Sequence, residues 1–349
     1  MPIVSSSSFS THIKNGYIQT ILPPFFYKSE KHPVQYYRRR ILTPDQDFLD
    51  LDWLCGGNSR AIIITHALEG SSQSWYVKQA AKQLLSAGWD VLAWNLRSCS
   101  TELNKCPTWY HAGSVEDLAR VFSHALFTKR YQEICMLGFG FGGVITLNFL
   151  GSHSHEIAQL VNRTVVCSVP CDLESYMQKT TSWRNNIFYT GILRSLKNKI
   201  RKKTVLFPEV FKDIDLNKIR NLKEFDTFCT APLHGFNSAA DYWKVCSPKR
   251  ILLKIEAPTL IINALNDPFL PEICFPYEAA LKSNFIHLET PLTGGHLGFY
   301  TNFLKTNWFI SRALEFLEPF AGITADTPLE NPSSGTSTPK ERLQRAVGE

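Results

Sequence analysis

The stretch Glu133-Ile-Cys-Met-Leu-Gly-Phe-Gly-Phe-Gly-Gly-Val144 decides the fold of this chain. Its first half is a short apolar run, which is typical of a buried β-strand. The glycines that follow predict a sharp turn, and a helical segment extends from about Val144 to Leu150. The sequence therefore predicts a strand, a tight turn and a helix in immediate succession.

Two known motifs match this turn. In the nucleophile elbow, G-x-S-x-G, the central serine is held in an unfavourable backbone conformation so that its Oγ stands clear. Here the central residue is Gly140, which adopts such a conformation at little cost but carries no oxygen. The same residues spell G-x-G-x-x-G, the dinucleotide fingerprint, which normally belongs to the first βαβ unit. This turn follows several strands, which disfavours a dinucleotide-binding oxidoreductase and leaves it as the second alternative.

The segments around the turn alternate between strand-like and helical patterns. Continuous apolar strands separated by helices indicate a mostly parallel sheet covered on both faces, and an antiparallel pair at the start makes the sheet mixed. The predicted strands are Tyr36–Leu42, Asp47–Trp53, Ala61–Thr65, Trp89–Trp94, Glu133–Leu137, Thr164–Val169, Thr259–Ala264 and Phe285–Leu288. The predicted helices are Trp75–Ser86, Val115–Thr128, Val144–Leu150 and Thr301–Leu317.

Changes in composition divide the chain into four parts. Residues 1–35 are predicted to form an N-terminal arm, and residues 36–173 with 249–320 the α/β core. Residues 174–248 are rich in Lys, Asn and aromatic side chains without a clear strand, which favours a helical cap insertion. Residues 321–349 are rich in Pro, Ser, Thr, Gly and charge, a composition that predicts a disordered tail.

Two later segments supply an acid and a base. Pro258-Thr-Leu-Ile-Ile-Asn-Ala-Leu-Asn-Asp-Pro-Phe is a buried strand that ends in a loop with Asp267. Thr293-Gly-Gly-His-Leu-Gly-Phe places His296 in a glycine-flanked loop after another strand. The order elbow, acid, histidine is that of α/β-hydrolase triads. Gly140, Asp267 and His296 are therefore the candidate catalytic positions, with the serine missing at the first.

The segment His66-Ala-Leu-Glu-Gly-Ser-Ser follows the strand at Ala61–Thr65. In hydrolases this position holds an oxyanion loop, whose backbone N–H groups stabilise negative charge on the substrate. The candidate donors are the N–H groups of Ala67 or Leu68, together with that of Phe141.

These pieces, with several others, resemble the YheT-like branch of α/β hydrolases, which is related to the plant embryogenesis-associated proteins and the ABHD esterases and lipases. The matching segments span roughly residues 13–317: Asn15-Gly-Tyr-Ile-Gln-Thr-Ile, Arg40-Ile-Leu-Thr-Pro-Asp-Gln-Asp-Phe-Leu-Asp-Leu-Asp-Trp, His66-Ala-Leu-Glu-Gly-Ser-Ser, Asn95-Leu-Arg-Ser-Cys-Ser, Tyr110-His-Ala-Gly, Phe225-Asp-Thr, Thr230-Ala-Pro-Leu-His-Gly-Phe, Asn266-Asp-Pro-Phe and Gly294-Gly-His-Leu-Gly-Phe. The resemblance implies a short- to medium-chain carboxylester or acylglycerol hydrolase that needs no cofactor and no metal.

The chain departs from that family at four positions. Gly140 replaces the nucleophilic serine, and Ala67, Ser98 and Thr101 stand where the family has glycine. We expect the last three to surround one pocket and to crowd the oxyanion loop.

Several functions remain open from the sequence. The first is a degenerate hydrolase, inactive by the covalent serine mechanism and either inert or retained to bind a small apolar ester or acyl ligand. The alternatives are a weak esterase in which His296 activates water, a nucleophile relocated to Ser71, Ser72 or Cys99, and an active family member with an aberrant residue 140.

Bulk composition sets the remaining expectations. The chain is 44% hydrophobic, and its net charge of +6 is too small to predict nucleic-acid binding. The basic run Arg194–Lys203 could contact an anionic membrane surface, although such a run is usually a solvated helix face. Nine cysteines without CxxC spacing, no signal peptide and no apolar run of spanning length predict a cytoplasmic protein. No oligomeric state is indicated.

Overall fold

A computed structural model describes residues 3–4, 9, 11–27, 34–129, 131–299 and 307–318. The predicted disordered tail, 321–349, lies outside these residues, as does the first part of the helix predicted at Thr301–Leu317.

The described strands form one mixed sheet at the centre of the molecule. They are β1 (Ile3–Val4), β2 (Tyr37–Leu42), β3 (Phe48–Leu54), β4 (Arg60–Thr65), β5 (Trp89–Asn95), β6 (Glu133–Phe139), β7 (Thr164–Cys167), β8 (Thr259–Ile262) and β9 (Ile286–Glu289). Their order is β1-β9-β8-β7-β6-β4-β5-β3-β2. β3 runs antiparallel to both β2 and β5, whereas the other neighbours are parallel. The prediction of a mostly parallel sheet with an antiparallel pair at the start is confirmed.

Helices surround this sheet. They are α1 (Gly16–Ile21), α2 (Pro23–Tyr27), α3 (Trp75–Ser86), α4 (Val115–Thr128), α5 (Phe141–Ser152), α6 (Ser154–Ala158), α7 (Leu173–Thr180), α8 (Trp183–Leu206), α9 (Pro208–Phe211), α10 (Leu222–Phe225), α11 (Ala231–Leu233), α12 (Ala239–Cys246), α13 (Tyr277–Lys282) and α14 (Trp308–Leu317). Between α10 and α11 the chain forms one π-helical turn, Asp226–Thr230.

Helices cover both faces of the sheet. Successive side chains of a strand point to opposite faces, so the side chains on both faces are apolar. On β4, Ile63 packs into a cluster with residues of α4 and α5, whereas Ile62 and Ile64 pack with residues of α3 and α14. This two-sided burial explains why the strands read as continuous apolar runs rather than as alternating ones.

The segment between β7 and β8 contains α7 to α12 and no described strand. Leu193, Leu196 and Ile200 of α8 join the same core cluster as Phe141 at the start of α5. The long helix of the predicted insertion therefore lies against the region of the elbow. The domain boundaries themselves stay predictions.

Candidate functional site

The elbow occupies the link between β6 and α5. Gly140 lies between the last residue of the strand and the first residue of the helix, with φ 51° and ψ −117°. L-residues with a side chain rarely adopt such a conformation. A Cβ on Gly142 would collide with the main-chain oxygens of Thr65 and His66 at the end of β4. Glycine at 142 therefore allows α5 to pass close to the neighbouring strand.

An acid–base pair lies on the loops after β8 and β9. His296 Nδ1 is 2.8 Å from Oδ2 of Asp267, whose side chain is fully buried. A carboxylate only accepts hydrogen bonds, so Nδ1 carries the proton and Nε2 of the neutral ring is left as an acceptor. The backbone holds this pair in place: Phe269 N–H donates to Asp267 Oδ1, and His296 N–H donates to Thr20 Oγ1 in α1.

The elbow and the acid–base pair meet at residue 140. A Cβ placed on Gly140 would lie 3.5 Å from His296 Nε2 and 3.3 Å from the Cβ of Ala67. A hydroxyl one bond further out would come within hydrogen-bonding reach of that nitrogen. The structure thus brings together the three positions that the sequence singled out, whereas their catalytic role stays a prediction.

Ser168 supports this junction and was not among the site residues predicted from the sequence. It follows β7 with a positive φ of 54°, and its Oγ accepts a hydrogen bond from Leu297 N–H at 3.0 Å. The bond ties the end of β7 to the loop that carries His296. A serine after a strand gives no sequence signal that distinguishes this role.

The oxyanion loop 66–70 is held by side chains on both sides. The N–H of Ala67 donates to the Tyr76 hydroxyl at 3.0 Å. Of the two predicted oxyanion donors in this loop, Ala67 and Leu68, the first is therefore already engaged. Within the described ranges, the N–H groups of Leu68 and Phe141 make no hydrogen bond. Phe141 opens α5, where the first N–H groups of a helix have no partner in the helix. Leu68 and Phe141 are therefore the donors that remain.

His66 at the start of this loop is a structural residue. Its Nε2 accepts a hydrogen bond from Leu96 N–H at 3.1 Å, so Nδ1 bears the proton and donates to the Ala67 carbonyl at 2.8 Å. Complete burial lowers the pKa of His66 to about 4, which keeps the ring neutral near pH 7. The neutral ring fixes the loop against the end of β5.

Glu69 fastens the same loop to the helical insertion. Its carboxylate lies 2.5 Å from Lys199 Nζ of α8 and accepts hydrogen bonds from the Tyr110 and Ser195 hydroxyls. The side chains of Glu69 and Lys199 are only 4% and 13% exposed, and Glu69 has a positive φ of 54°. We call Glu69, Lys199, Tyr110 and Ser195 the loop clamp. Glu69 lies within the His66-Ala-Leu-Glu-Gly-Ser-Ser motif, but the motif alone does not predict its contact with Lys199.

The expectation that Ser98 and Thr101 crowd the oxyanion loop is wrong. Ser98 has a positive φ of 62°, and its buried hydroxyl donates to Asn104 in a network that continues to Asp47. Thr101 is exposed, and its hydroxyl accepts a hydrogen bond from Arg38. Of the three departures from glycine, only Ala67 lies at the elbow.

The candidates for a relocated nucleophile have other partners. The buried Ser72 hydroxyl donates to Asp52 at 2.5 Å, and Ser71 Oγ accepts from Gln73 N–H. Burial raises the pKa of the Cys99 thiol to about 12, which disfavours the nucleophilic thiolate. A relocated nucleophile would need His296 as its base, but the contacts of the His296 ring are with Asp267 and Phe269.

A small cavity lies beside the elbow. Its volume is about 20 Å³, which is close to the space of one water molecule. It is lined by Leu68, Trp109, Tyr110, His111, Phe141, Met177, Leu196, Leu222, Phe225, Asp226, Thr230 and Tyr242. Both remaining oxyanion donors belong to this lining, so the cavity is the candidate entrance for an acyl or ester group. An acyl chain could enter only if the side chains of the insertion move.

The basic run Arg194–Lys203 is only partly a surface feature. Lys199 belongs to the loop clamp, and the fully buried Lys203 donates to the carbonyl oxygens of Asn104 and Cys106. No helix within the described residues is long and apolar enough to cross a bilayer.

One group of possible metal ligands occurs in the described part of the chain. Ligand atoms of Asp45, Asp47 and Cys106 lie within 4.8 Å of one another. Arg97 already forms ion pairs with both carboxylates, at 2.5 and 3.2 Å. These residues are accounted for by the Arg97 network.

Comparison with known proteins places this geometry in context. Residues 60–303 match the family model for the α/β-hydrolase fold. The chain is 29% identical over 323 residues to the YheT protein of Escherichia coli K12, which covers 88% of this chain and 91% of that protein. It is 27% identical over 297 residues to phospholipase ABHD3 of Mus musculus, covering 80% and 70% respectively. The solved esterase Pf2001 of Pyrococcus furiosus shares the fold with a TM-score of 0.53 at 17% identity, covering 84% of this chain and 92% of that one.

Proposed function

Because the chain belongs to the esterase and lipase family of α/β hydrolases, we propose that it binds an ester or acyl ligand beside Gly140 without forming an acyl-enzyme. In the serine mechanism, the nucleophile Oγ bonds to the acyl carbon while the histidine takes its proton. Residue 140 stands at the elbow, opposite His296 Nε2, and has no oxygen to acylate. This single observation carries the proposal.

The rest of the site supports ligand binding. Leu68 and Phe141 leave two N–H groups unpaired in the described structure, and both residues line an otherwise largely apolar cavity. Such N–H groups stabilise a carbonyl oxygen or a developing oxyanion. A relative of this chain is named a phospholipase, which is consistent with an ester or acyl ligand.

A second candidate is slow hydrolysis by water. The Asp267–His296 pair faces residue 140, so His296 Nε2 could remove a proton from a water molecule bound there. Hydrolases that lose one triad member typically retain about 10³–10⁴-fold catalysis over water. Turnover of this kind would disappear in His296→Ala and would leave no covalent adduct.

Turnover of a short-chain ester that is lost in His296→Ala separates the two candidates, and covalent labelling tests the absence of an acyl-enzyme that both assume. The unmodified chain is incubated with a fluorophosphonate and its intact mass is measured, and binding of a short-chain ester is measured by calorimetry. We expect ester binding with no adduct. A stoichiometric adduct on any serine would overturn the proposal, and an adduct on Ser71 or Ser72 would identify a relocated nucleophile.

We also propose a weak contact with anionic membrane surfaces through the exposed members of the basic run, Arg194, Arg201 and Lys202. Such a contact is electrostatic and is screened by salt. Co-sedimentation with anionic vesicles at low salt tests it, and equal sedimentation with zwitterionic vesicles would contradict it. A cytoplasmic location remains a prediction.

A further inference from the structure

The cavity beside the elbow contains polar side chains that the proposed function does not use. They are His111, Asp226 and Thr230. All three come from segments that carried the family resemblance, Tyr110-His-Ala-Gly, Phe225-Asp-Thr and Thr230-Ala-Pro-Leu-His-Gly-Phe. The two tyrosine hydroxyls of the lining have partners elsewhere: Tyr110 donates to Glu69, and Tyr242 accepts from Ala112 N–H. Apart from the Trp109 indole N–H and the Tyr242 hydroxyl proton, the polar character of the cavity therefore depends on these three side chains.

Asp226 is a buried carboxylate without a cationic partner in the described part of the chain. Its Oδ2 accepts a hydrogen bond from Trp243 Nε1 at 2.8 Å, and its carboxylate is also hydrogen-bonded by the Thr230 side chain. Burial raises the pKa of Asp226 to about 6. A carboxylate has about four lone-pair sites, so these two donors leave room for another. A buried, unneutralised carboxylate is costly and commonly marks a functional site.

The local backbone also departs from a regular helix at this point. Asp226 and Thr230 are the first and last residues of the π-helical turn. Single π-turns are rare and occur frequently at functional sites. Here the wider turn holds both side chains in the cavity lining.

His111 lines the same cavity. Its Nδ1 accepts a hydrogen bond from Gly113 N–H at 3.1 Å. Burial, together with the neighbouring His234, lowers the pKa of His111 to about 3, so the ring is neutral and its proton lies on Nε2. The ring packs on that of His234, 4.4 Å away between centroids, whose buried Nε2 has no hydrogen-bond partner in the described structure.

We propose that Asp226, Thr230 and His111 form a subsite that binds a hydroxyl group of the ligand. A hydroxyl donates one hydrogen bond and accepts others, which suits a carboxylate acceptor beside an imidazole N–H donor. An ammonium group only donates and would leave the His111 N–H unpaired, and a methyl group would leave both groups unpaired. The cavity volume of about 20 Å³ fits one group of the size of a water molecule.

This inference rests on the proposed function, because it assumes that an ester or acyl ligand enters the cavity. The hydroxyl can come from either part of an ester, a polyol on the alcohol side or a hydroxylated acyl chain. Two matched pairs of probes distinguish these sources. Glyceryl monohexanoate is compared with propyl hexanoate, and methyl 6-hydroxyhexanoate with methyl hexanoate.

Binding of the four esters to the unmodified chain is measured by calorimetry. We expect the hydroxylated member of at least one pair to bind about tenfold more tightly, because hydrogen bonds to a charged group are the stronger ones. The pair that shows the preference identifies the source of the hydroxyl. Equal affinities within both pairs would overturn the subsite and leave the proposed function intact. If none of the four esters binds, the proposed function and the subsite fail together.

Variants then assign the preference to two of the three residues, Asp226 and Thr230. Asp226→Asn and Thr230→Val should each reduce it to about twofold or less while the deoxy esters bind as before. Glu174→Gln, at an exposed position on α7, is the matched control and should keep the full preference. A preference that survives both Asp226→Asn and Thr230→Val would overturn the assignment. Should Asp226→Asn fail to fold, Thr230→Val and the unmodified chain still decide the question.

Discussion

The elbow and the oxyanion loop lie side by side, but they differ in what they retain. At the elbow, Asp267 and His296 are paired and aimed at a residue that has no side chain. In the oxyanion loop, the Tyr76 hydroxyl binds the Ala67 N–H, the His66 ring binds the Ala67 carbonyl, and the loop clamp holds the Glu69 side chain. This contrast is the basis of the proposal that the chain lacks a nucleophile at residue 140 within an otherwise formed elbow. Under that proposal, the pair and the loop can contact a ligand, but residue 140 offers no oxygen for the covalent step.

The largest expected effect concerns the loop clamp. Glu69→Ala leaves Lys199 without its carboxylate in a mostly buried position, which should lower the free energy of unfolding by on the order of 3 kcal/mol. Urea unfolding followed by circular dichroism measures this loss. Adding Lys199→Met to Glu69→Ala should recover part of it, because the unpaired charge is removed.

The control for the clamp is an exposed ion pair. Glu278→Ala breaks the contact with Lys282 on α13, where both side chains are largely exposed, and should produce no measurable change. A loss in Glu69→Ala no larger than in this control would show that the clamp does not stabilise the loop.

The next effect concerns the backbone of the elbow. Gly140→Ser puts a side chain at φ 51°, which should lower the free energy of unfolding by roughly 1–3 kcal/mol. The new Cβ would also lie 3.3 Å from that of Ala67, so Ala67→Gly should recover part of the loss in the double variant. Thermal unfolding of the two variants measures both changes. A Gly140→Ser protein as stable as the unmodified chain would contradict the strained elbow.

The smallest effect is a pH dependence that comes from His66. Its pKa is lowered to about 4 in the folded protein, so between pH 7 and 5.5 the unfolded chain binds a proton that the folded chain does not. Stability should therefore fall as the pH falls, by about 1 kcal/mol from this residue over that range. His66→Asn should flatten the dependence of stability on pH by this amount, whereas exposed His155→Asn should not. Equal slopes in all three proteins would contradict the buried, neutral role of His66.

The parts of the fold set by local pattern could be predicted from the sequence. The helices Trp75–Ser86 and Val115–Thr128 were predicted with their observed ends, because amphipathic periodicity and flanking breakers define them. The strand predicted at Thr164–Val169 ends earlier, at Cys167, because Ser168 turns to a positive φ and binds the loop of His296. The edge strand Ile3–Val4 was missed, since its pairing with β9 is a contact across the whole chain.

The candidate site likewise has residues that the sequence predicts and contacts that it does not. Gly140, Asp267 and His296 could be found because each follows a recognisable strand in a fixed order. The hydrogen bond from Ala67 to Tyr76 and the ion pair between Glu69 and Lys199 could not, because each depends on distances between segments far apart in sequence. The misplaced Ser98 and Thr101 show the same limit: a shared departure from a family pattern does not show that two residues line one pocket.

The most direct test of the central claim is fluorophosphonate labelling of the double variant Gly140→Ser, Ala67→Gly, read by intact mass and peptide mapping. If residue 140 alone blocks the covalent step, this variant should acquire a stoichiometric adduct at position 140, while the unmodified chain acquires none. Adding His296→Ala to the double variant should abolish the adduct, because the general base is then missing. A folded double variant that remains unlabelled would contradict the claim and show that the loss extends beyond residue 140.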